Sequence, residues 1–342
     1  MDKRRLFTPL ALKHFTLPGR IVRSSTELFC SYPDGHVDPY EFDVYDRLSA
    51  QPLGMIFTAH TCVSPEGRSN LWQNALWSEE FLDDTRKIAH LAQQHGVPTV
   101  LQLGHGGKKA ENNNGGLPVY TPDNMTTAQI SEVVAAFGRA ALLGKAAGMR
   151  GILLHGAHMY LLSQFFYPKF NHRTDKYGGS ACNRFRIIAE ILAEVKKICG
   201  DDFPVLLKIN GDDEFLTEEY HRDLVEALRT VSDQLDAVEI SGWNSAPGGV
   251  AKRPFFLENI RRLKGELSLP LIEVGGFRSA DTMLEALDAG ASAVSVCRPL
   301  MQDPNFVSRL KNEDNVVSGC RGCGFCGRPL DKQNPVRCPF AK

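Results

Sequence analysis

The chain has 342 residues, 43% of them hydrophobic and 23% charged, which is globular composition and enough for one large core or two modest ones. A formal net charge of −1 excludes an electrostatic case for nucleic acid or an anionic membrane surface. No apolar run approaches the roughly 18 residues that cross a bilayer, and no apolar leader core follows the charged start Met1-Asp2-Lys3-Arg4-Arg5, so the expectation is a cytoplasmic protein.

Taken in order, short β-branched or apolar runs alternate with longer amphipathic segments. The pattern predicts strands at 21–26, 55–63, 99–104, 151–155, 205–210, 237–241, 271–275 and 293–297. It predicts helices at 42–51, 79–95, 127–148, 183–199, 217–231, 255–267, 280–289 and 303–311. Such repeats fit an α/β chain folded as a (β/α)8 TIM barrel. The rival is an open doubly wound sheet, which usually has fewer strands and, when it binds dinucleotides, a Gly-rich first turn. No G-x-G-x-x-G occurs in the turn after the first predicted strand. The loop after the third strand, 104–126, is long and rich in Gly, Asn and Pro, and is expected to act as a flap over the site.

Barrel chemistry sits at strand C-terminal ends. Those ends offer Ser24, Ser25, Thr26 and Glu27; Ala59 and His60; Gln102 and His105; His155, His158 and Tyr160; Lys208 and Asn210; Ser241 and Trp243; Gly275 and Gly276; Cys297 and Arg298. Paired carboxylates are scarce, which argues against glycosidase chemistry. The set suits a large planar ligand with hydrogen-bonding edges. Gln102 can match one donor and one acceptor at once. Lys208 is a cation inside the apolar run Pro204–Ile209 and needs a partner, either a bound anion or a barrel acid such as Glu239. Loops after the seventh and eighth strands commonly hold phosphate. Gly275 and Gly276 would let backbone N–H groups approach it, and Arg298 would offer a fork of donors. His155 and His158 could also bind a metal, but no third ligand with suitable spacing stands near them.

Nine cysteines are unevenly placed: Cys320, Cys323, Cys326 and Cys338 crowd the C-terminal end. Such a cluster in a large chain of this type points to metal rather than disulfides. C-x2-C-x2-C followed by a distant Cys338-Pro339 resembles ferredoxin ligation of a [4Fe–4S] centre; the same thiolates could hold zinc. The expected division is a barrel over 1–312 and a Cys-rich extension over 313–342.

The fourth strand runs into His155-Gly-Ala-His158-Met159-Tyr160-Leu161, followed by Asn171-His-Arg-Thr-Asp-Lys-Tyr-Gly-Gly-Ser180 and Asn183-Arg184. These stretches resemble the old yellow enzyme family of FMN-dependent oxidoreductases, and the likeness runs from near residue 6 to about residue 310. The opening 6–23 resembles the family's hairpin lid over the barrel bottom. The resemblance implies bound FMN, bordered by Ser24, Ser25, Thr26 and Ala59. Gln102 would meet the flavin pyrimidine, Lys208 its N1 region, and Gly275, Gly276, Cys297 and Arg298 its phosphate. His155 and His158 would hold a substrate carbonyl, and Tyr160 would protonate the neighbouring carbon. Four positions depart from the family pattern. Glu27 stands where Thr or Cys is usual, Lys208 where Arg is common, Met159 where Gly is usual, and Cys297 where Gly precedes the Arg. The cysteine run resembles the one after the barrel in 2,4-dienoyl-CoA reductase and trimethylamine dehydrogenase, which have three residues before the third cysteine.

The resulting expectation is an FMN-dependent oxidoreductase that reduces an activated C=C bond of a small molecule. Its electrons would come from NAD(P)H or, through the cysteine cluster, from a separate donor protein. The first alternative is an oxidative dehydrogenase or demethylase of the trimethylamine dehydrogenase type, with Trp243 as the candidate wall for a cationic amine. Others are a non-redox phosphate-binding barrel enzyme and an electron-transfer subunit without a small substrate. The sequence leaves the oligomeric state, a homo-oligomer included, open.

Overall fold

The computed structural model describes residues 2–212, 217–242, 250–251, 253–327 and 337–341; Trp243 lies outside them. Its centre is a ring of parallel strands: β1 (Ile21–Arg23), β2 (Met55–Phe57), β3 (Thr99–Gly104), β4 (Gly151–Gly156), β5 (Val205–Asn210), β6 (Ala237–Ser241), β7 (Leu271–Val274) and β8 (Ala293–Val296). β8 pairs with β1 through Ser295↔Val22, and β2 pairs with β3 through Ile56↔Thr99, so the sheet closes on itself. This is the expected (β/α)8 TIM barrel.

Helices α1 (Pro39–Ser49), α2 (Leu82–Gln93), α3 (Thr127–Ala146), α4 (Ala181–Cys199), α5 (Glu218–Arg229), α6 (Leu257–Glu266), α7 (Ala280–Asp288) and α8 (Phe306–Asn312) follow the strands in turn. Their starts are written locally. Asp38 caps α1 ahead of Pro39, Thr126 and Gln129 form a capping box on α3, and Ser180 Oγ accepts from the Asn183 N–H on α4. Two of the boundaries that differ from expectation have a local cause. The segment predicted as one helix over 303–311 is preceded by a short helix, Arg298–Gln302, and α8 begins only at Phe306; Pro304 has no N–H with which to join them. The strand predicted over 55–63 breaks after Phe57 and resumes as Thr61–Cys62, because Thr58 Oγ1 accepts from the Gln102 N–H (3.0 Å) in place of a backbone carbonyl.

The barrel bottom is closed as the opening stretch suggested. Leu10–Ala11 pairs antiparallel with Thr16–Leu17. Leu12, Phe15 and Leu17 of this hairpin pack onto the inward residues Val22, Met55, Phe57, Val100, Leu153, Leu206, Ala237, Ile272 and Ala293. A second apolar cluster fills the space between strands and helices. Among the described residues no helix is long and apolar enough to cross a membrane.

Candidate active site

Inward-facing side chains recur every second residue along a strand. Two residues above the apolar floor, that spacing delivers Ser24, Gln102, His155, Lys208, Glu239 and Ser295, all buried. One barrel layer is thus apolar and the next polar. Above the polar layer opens a cavity of about 590 Å³, within the range of small-ligand sites. Ser24, Ser25, Thr26, Gln102, His155, His158, Tyr160, Lys208, Gly275, Gly276, Cys297 and Arg298 all line it. Ala59 does not: it is 1% exposed and its N–H already donates to Tyr45 Oη at 2.7 Å, so its neighbour His60 takes the place on the cavity wall.

Four aromatic groups meet at one end. The His60 ring lies 4.9 Å from His155 and 4.5 Å from Tyr160, and His155 lies 4.7 Å from Tyr160 and 5.1 Å from His158. The Ala157 N–H donates to His155 Nδ1 (3.3 Å), which leaves Nε2 as the N–H donor of that ring. His158 is held by Ser241, whose Oγ is 2.8 Å from Nε2, and by its own N–H donating to Asn210 Oδ1 (3.1 Å). His158 and Met159 both adopt left-handed backbone, with φ of 56° and 61°, a conformation that costs energy in non-glycine residues and is found where a site demands it. Met159 therefore sits in backbone that Gly would adopt without strain. The loop after β3 reaches over this end as expected: Lys109 Nζ donates to the His158 carbonyl (2.7 Å) and lies 4.8 Å above the Tyr160 ring. His105 serves that loop instead of the cavity, with its Nδ1 accepting from the Gly107 N–H.

Burial sets the charges. It holds His155 and His158 well below the usual imidazole range, with His60 adding to the effect on His155 and Lys208 on His158. His60 is pushed down to about 3, by burial first and then by Lys109. All three imidazoles are neutral near pH 7. Tyr160 is pushed up to about 12, by burial and then by Glu27. Glu27 is itself raised well above the carboxylate range, by burial and then by the neighbouring carboxyl of Glu41. Lys208 takes the barrel acid as partner: its Nζ is 2.8 Å from Glu239 Oε2.

Several polar atoms are shielded from solvent yet have no hydrogen-bond partner: Gln102 Oε1, Glu27 Oε2, Ser295 Oγ and both ring nitrogens of His60. Buried polar groups are normally satisfied, so such a cluster around one cavity marks the place of a polar ligand. At the other end, Gly275 and Gly276 have φ of 101° and 84°. A Cβ on Gly276 would lie 2.6 Å from the Arg253 carbonyl oxygen, so this turn is open only to glycine. An amide, neutral imidazoles, a cation and a glycine cradle are the donors an FMN would need, and the residues present fit it.

The cysteine cluster comes out differently. Cys320, Cys323 and Cys326 border the mouth of the main cavity, whereas Cys338 borders a separate one between α1 and the helix Arg298–Gln302. Among the described residues no group of three or more His, Cys, Asp or Glu is placed to hold a metal ion. The expected iron–sulfur or zinc centre at Cys320, Cys323, Cys326 and Cys338 is therefore not shown among the described residues. The extension is tied to the barrel by other bonds: the Ser318 N–H donates to the Arg278 carbonyl (2.7 Å), and Gln302 Nε2 donates to the Phe340 carbonyl (3.1 Å).

Sequence reasoning gave no role to His60 or Ser295 and treated Glu239 only as a partner for Lys208. The signal for Ser295 and Glu239 is parity: Ser295 lies two residues beyond Ala293 and Glu239 two before Ser241, whereas His60 directly follows Ala59 and falls off that period.

The sequence profile of the NADH:flavin oxidoreductase / NADH oxidase family matches residues 5–316. An NADPH dehydrogenase of Clostridium acetobutylicum is 29% identical over 328 residues, covering 90% of this chain and 96% of its own length. One from Geobacillus sp. is 31% identical over 321 residues, covering 87% and 91%. Among solved structures, a 2-naphthoyl-CoA reductase in complex with 2-naphthoyl-CoA superposes with a TM-score of 0.84 at 23% identity; the match covers 94% of this chain and 55% of that one. An old yellow enzyme homologue from Zymomonas mobilis gives 0.77 at 20% identity, covering 92% and 94%.

Proposed function

The chain belongs to the NADH:flavin oxidoreductase / NADH oxidase family, the old yellow enzymes, and on that premise we propose that it reduces an activated C=C bond of a small molecule. NAD(P)H is the reductant in this reading. Bound FMN would supply the two-electron chemistry, taking hydride from the nucleotide and passing it to the β carbon. Gln102, Lys208, Gly275, Gly276 and Arg298 would hold it, along the side of the cavity bordered by Ser24, Ser25 and Thr26.

The chain's own residues then have three tasks. His155 and His158 are neutral and can each present an N–H to a carbonyl oxygen, drawing electrons away from the conjugated bond. Tyr160, with its proton held to about pH 12, gives that proton to the α carbon. Lys109 and the loop after β3 cover this end. The observation that carries the reading is the grouping of two neutral imidazoles and a protonated phenol above a polar barrel layer, with His155 4.7 Å from Tyr160 and 5.1 Å from His158 between ring centres.

The test uses Tyr160→Phe and an α,β-unsaturated ketone. Flavin bands should be present in the purified protein or appear on adding FMN, and anaerobic NADPH should bleach them equally in wild type and variant. Reoxidation by the enone should slow by about 10²- to 10⁴-fold in the variant. An enone that reoxidises both proteins at one rate would remove Tyr160 from the reaction. A colourless protein that does not take up FMN would overturn the whole reading.

A further inference from the structure

Lys208 and Glu239 are register partners on adjacent strands β5 and β6. Lys208 is 3% exposed and Glu239 is fully buried. The ammonium is 2.8 Å from Glu239 Oε2 without the alignment of a full hydrogen bond, and Ser24 Oγ lies 3.5 Å from Oε1. Lys208 faces the cavity; Glu239 lies in the same layer but does not reach the cavity surface. A carboxylate in this place is costly to bury. It gives the buried ammonium a counter-charge. The loosely aligned contact leaves the ammonium able to donate upward into the cavity that Lys208 lines.

We infer that Glu239 is a positioning residue that draws the Lys208 ammonium down into the barrel, weakens its hold on the reduced cofactor, and so makes the flavin a stronger reductant than Lys208 alone would allow. A reduced flavin carries negative charge that a nearby cation favours, and a buried counter-charge offsets that attraction. This inference rests on the FMN reading given above. Its consequence concerns substrate: a more strongly reducing flavin extends the reaction to C=C bonds that are only weakly activated.

The experiment is the midpoint potential of bound FMN, measured by dye equilibration in the holoenzyme, for wild type, Glu239→Gln, Lys208→Met and the double variant. Glu239→Gln should shift the potential upward, with the affinity ratio for reduced over oxidised FMN rising on the order of tenfold, because the ammonium is released toward the cofactor. Lys208→Met should shift it downward. Adding Glu239→Gln to Lys208→Met should raise the potential by clearly less than Glu239→Gln does in the presence of Lys208, since most of the effect passes through Lys208. If the amide variant does not fold, Glu239→Asp keeps the charge and withdraws it by one methylene, and should shift the potential upward by a smaller amount. FMN bound at an unchanged potential in these Glu239 variants would sink this inference and leave the functional reading intact. A wild-type protein that binds no FMN would sink both.

Discussion

Gly104 closes β3 directly against His60, and replacing it with Ala gives a sharp test of the aromatic end of the site. The backbone there is ordinary, so Ala brings no φ penalty. The added Cβ would fall 2.0 Å from His60 Nε2 and 2.7 Å from Cδ2. An ordinary contact begins near 3.4 Å, so the ring must withdraw by about 1.4 Å. It has little room, with His155 4.9 Å and Tyr160 4.5 Å away between ring centres. No hydrogen bond anchors the ring either, as both of its nitrogens lack partners, so packing alone fixes its place. Overpacking of this kind costs about 1–3 kcal/mol of stability, which for a chain of this size is a few degrees in Tm. Passing the displacement on to Tyr160 should cost more in rate: misplacement by about 1 Å can lower turnover by about 10²-fold. The assay pairs a thermal melt with kcat/KM for enone reduction by NADPH, at a temperature where the variant is fully folded. Wild-type kcat/KM with a lowered Tm would show that His60 moves without disturbing Tyr160, and the coupling between the two rings would have to be abandoned.

Gly265 in α6 is the control: a Cβ there meets nothing within 4 Å, so Gly265→Ala should leave kcat/KM unchanged and raise stability by about 0.5 kcal/mol on the helix scale. Phe15→Ala removes the 7%-exposed ring that seals the barrel bottom and should cost about 3–5 kcal/mol in urea unfolding; KM and kcat should hold at low temperature, and a loss of kcat with unchanged stability would contradict the division between floor and site. Glu273 is pushed up from 4.5 to about 7, by burial first, while its Oε1 accepts from the Phe256 N–H at 3.0 Å. Below about pH 4.5 folded and unfolded chains both carry its proton, and between 4.5 and 7 only the folded chain does, so its contribution to stability falls as pH rises through that window. Glu273→Gln removes this dependence; its advantage over wild type should grow from pH 4.5 to 8 to at most about 3 kcal/mol, and parallel urea midpoints across that range would show that the group does not titrate there.

Most of the barrel was legible because its strands are buried on both faces and read as short apolar runs with clear edges; β3, β5 and β6 fall where the pattern put them. The ends of β2 and α8 were not legible, because a Thr58 hydroxyl and the missing N–H of Pro304 decide them, and neither alters the hydrophobic period. In the site, residues just past a strand end were found, since a polar group there stands out from an apolar run. Of the pair Ala59 and His60, the one assigned to the cofactor does not line the cavity and the other does, because the backbone turns after Thr58 and moves the inward face by one residue. Glu239 was visible only as a charge in need of a partner; that it sits beside Lys208 is a matter of register between strands about thirty residues apart, which one strand's sequence does not contain. The cysteine spacing suggests a shared metal; Cys320, Cys323 and Cys326 border the main cavity and Cys338 a second one, which spacing along the chain does not tell apart.

The join between β8 and β1 sets Ser295 level with Val22, at the seam where the last strand of the ring meets the first. Ser24 and Ser295 are neighbours in the polar layer although nearly the whole chain runs between them. The wall of the cavity is therefore missing a stave until the final strand is in place. A ribosome partway through this chain holds a growing stack of strand–helix units and no cavity to hold a ligand. Cofactor capture must wait for that strand, and a nascent chain stalled before residue 293 should be as colourless as an unfolded one.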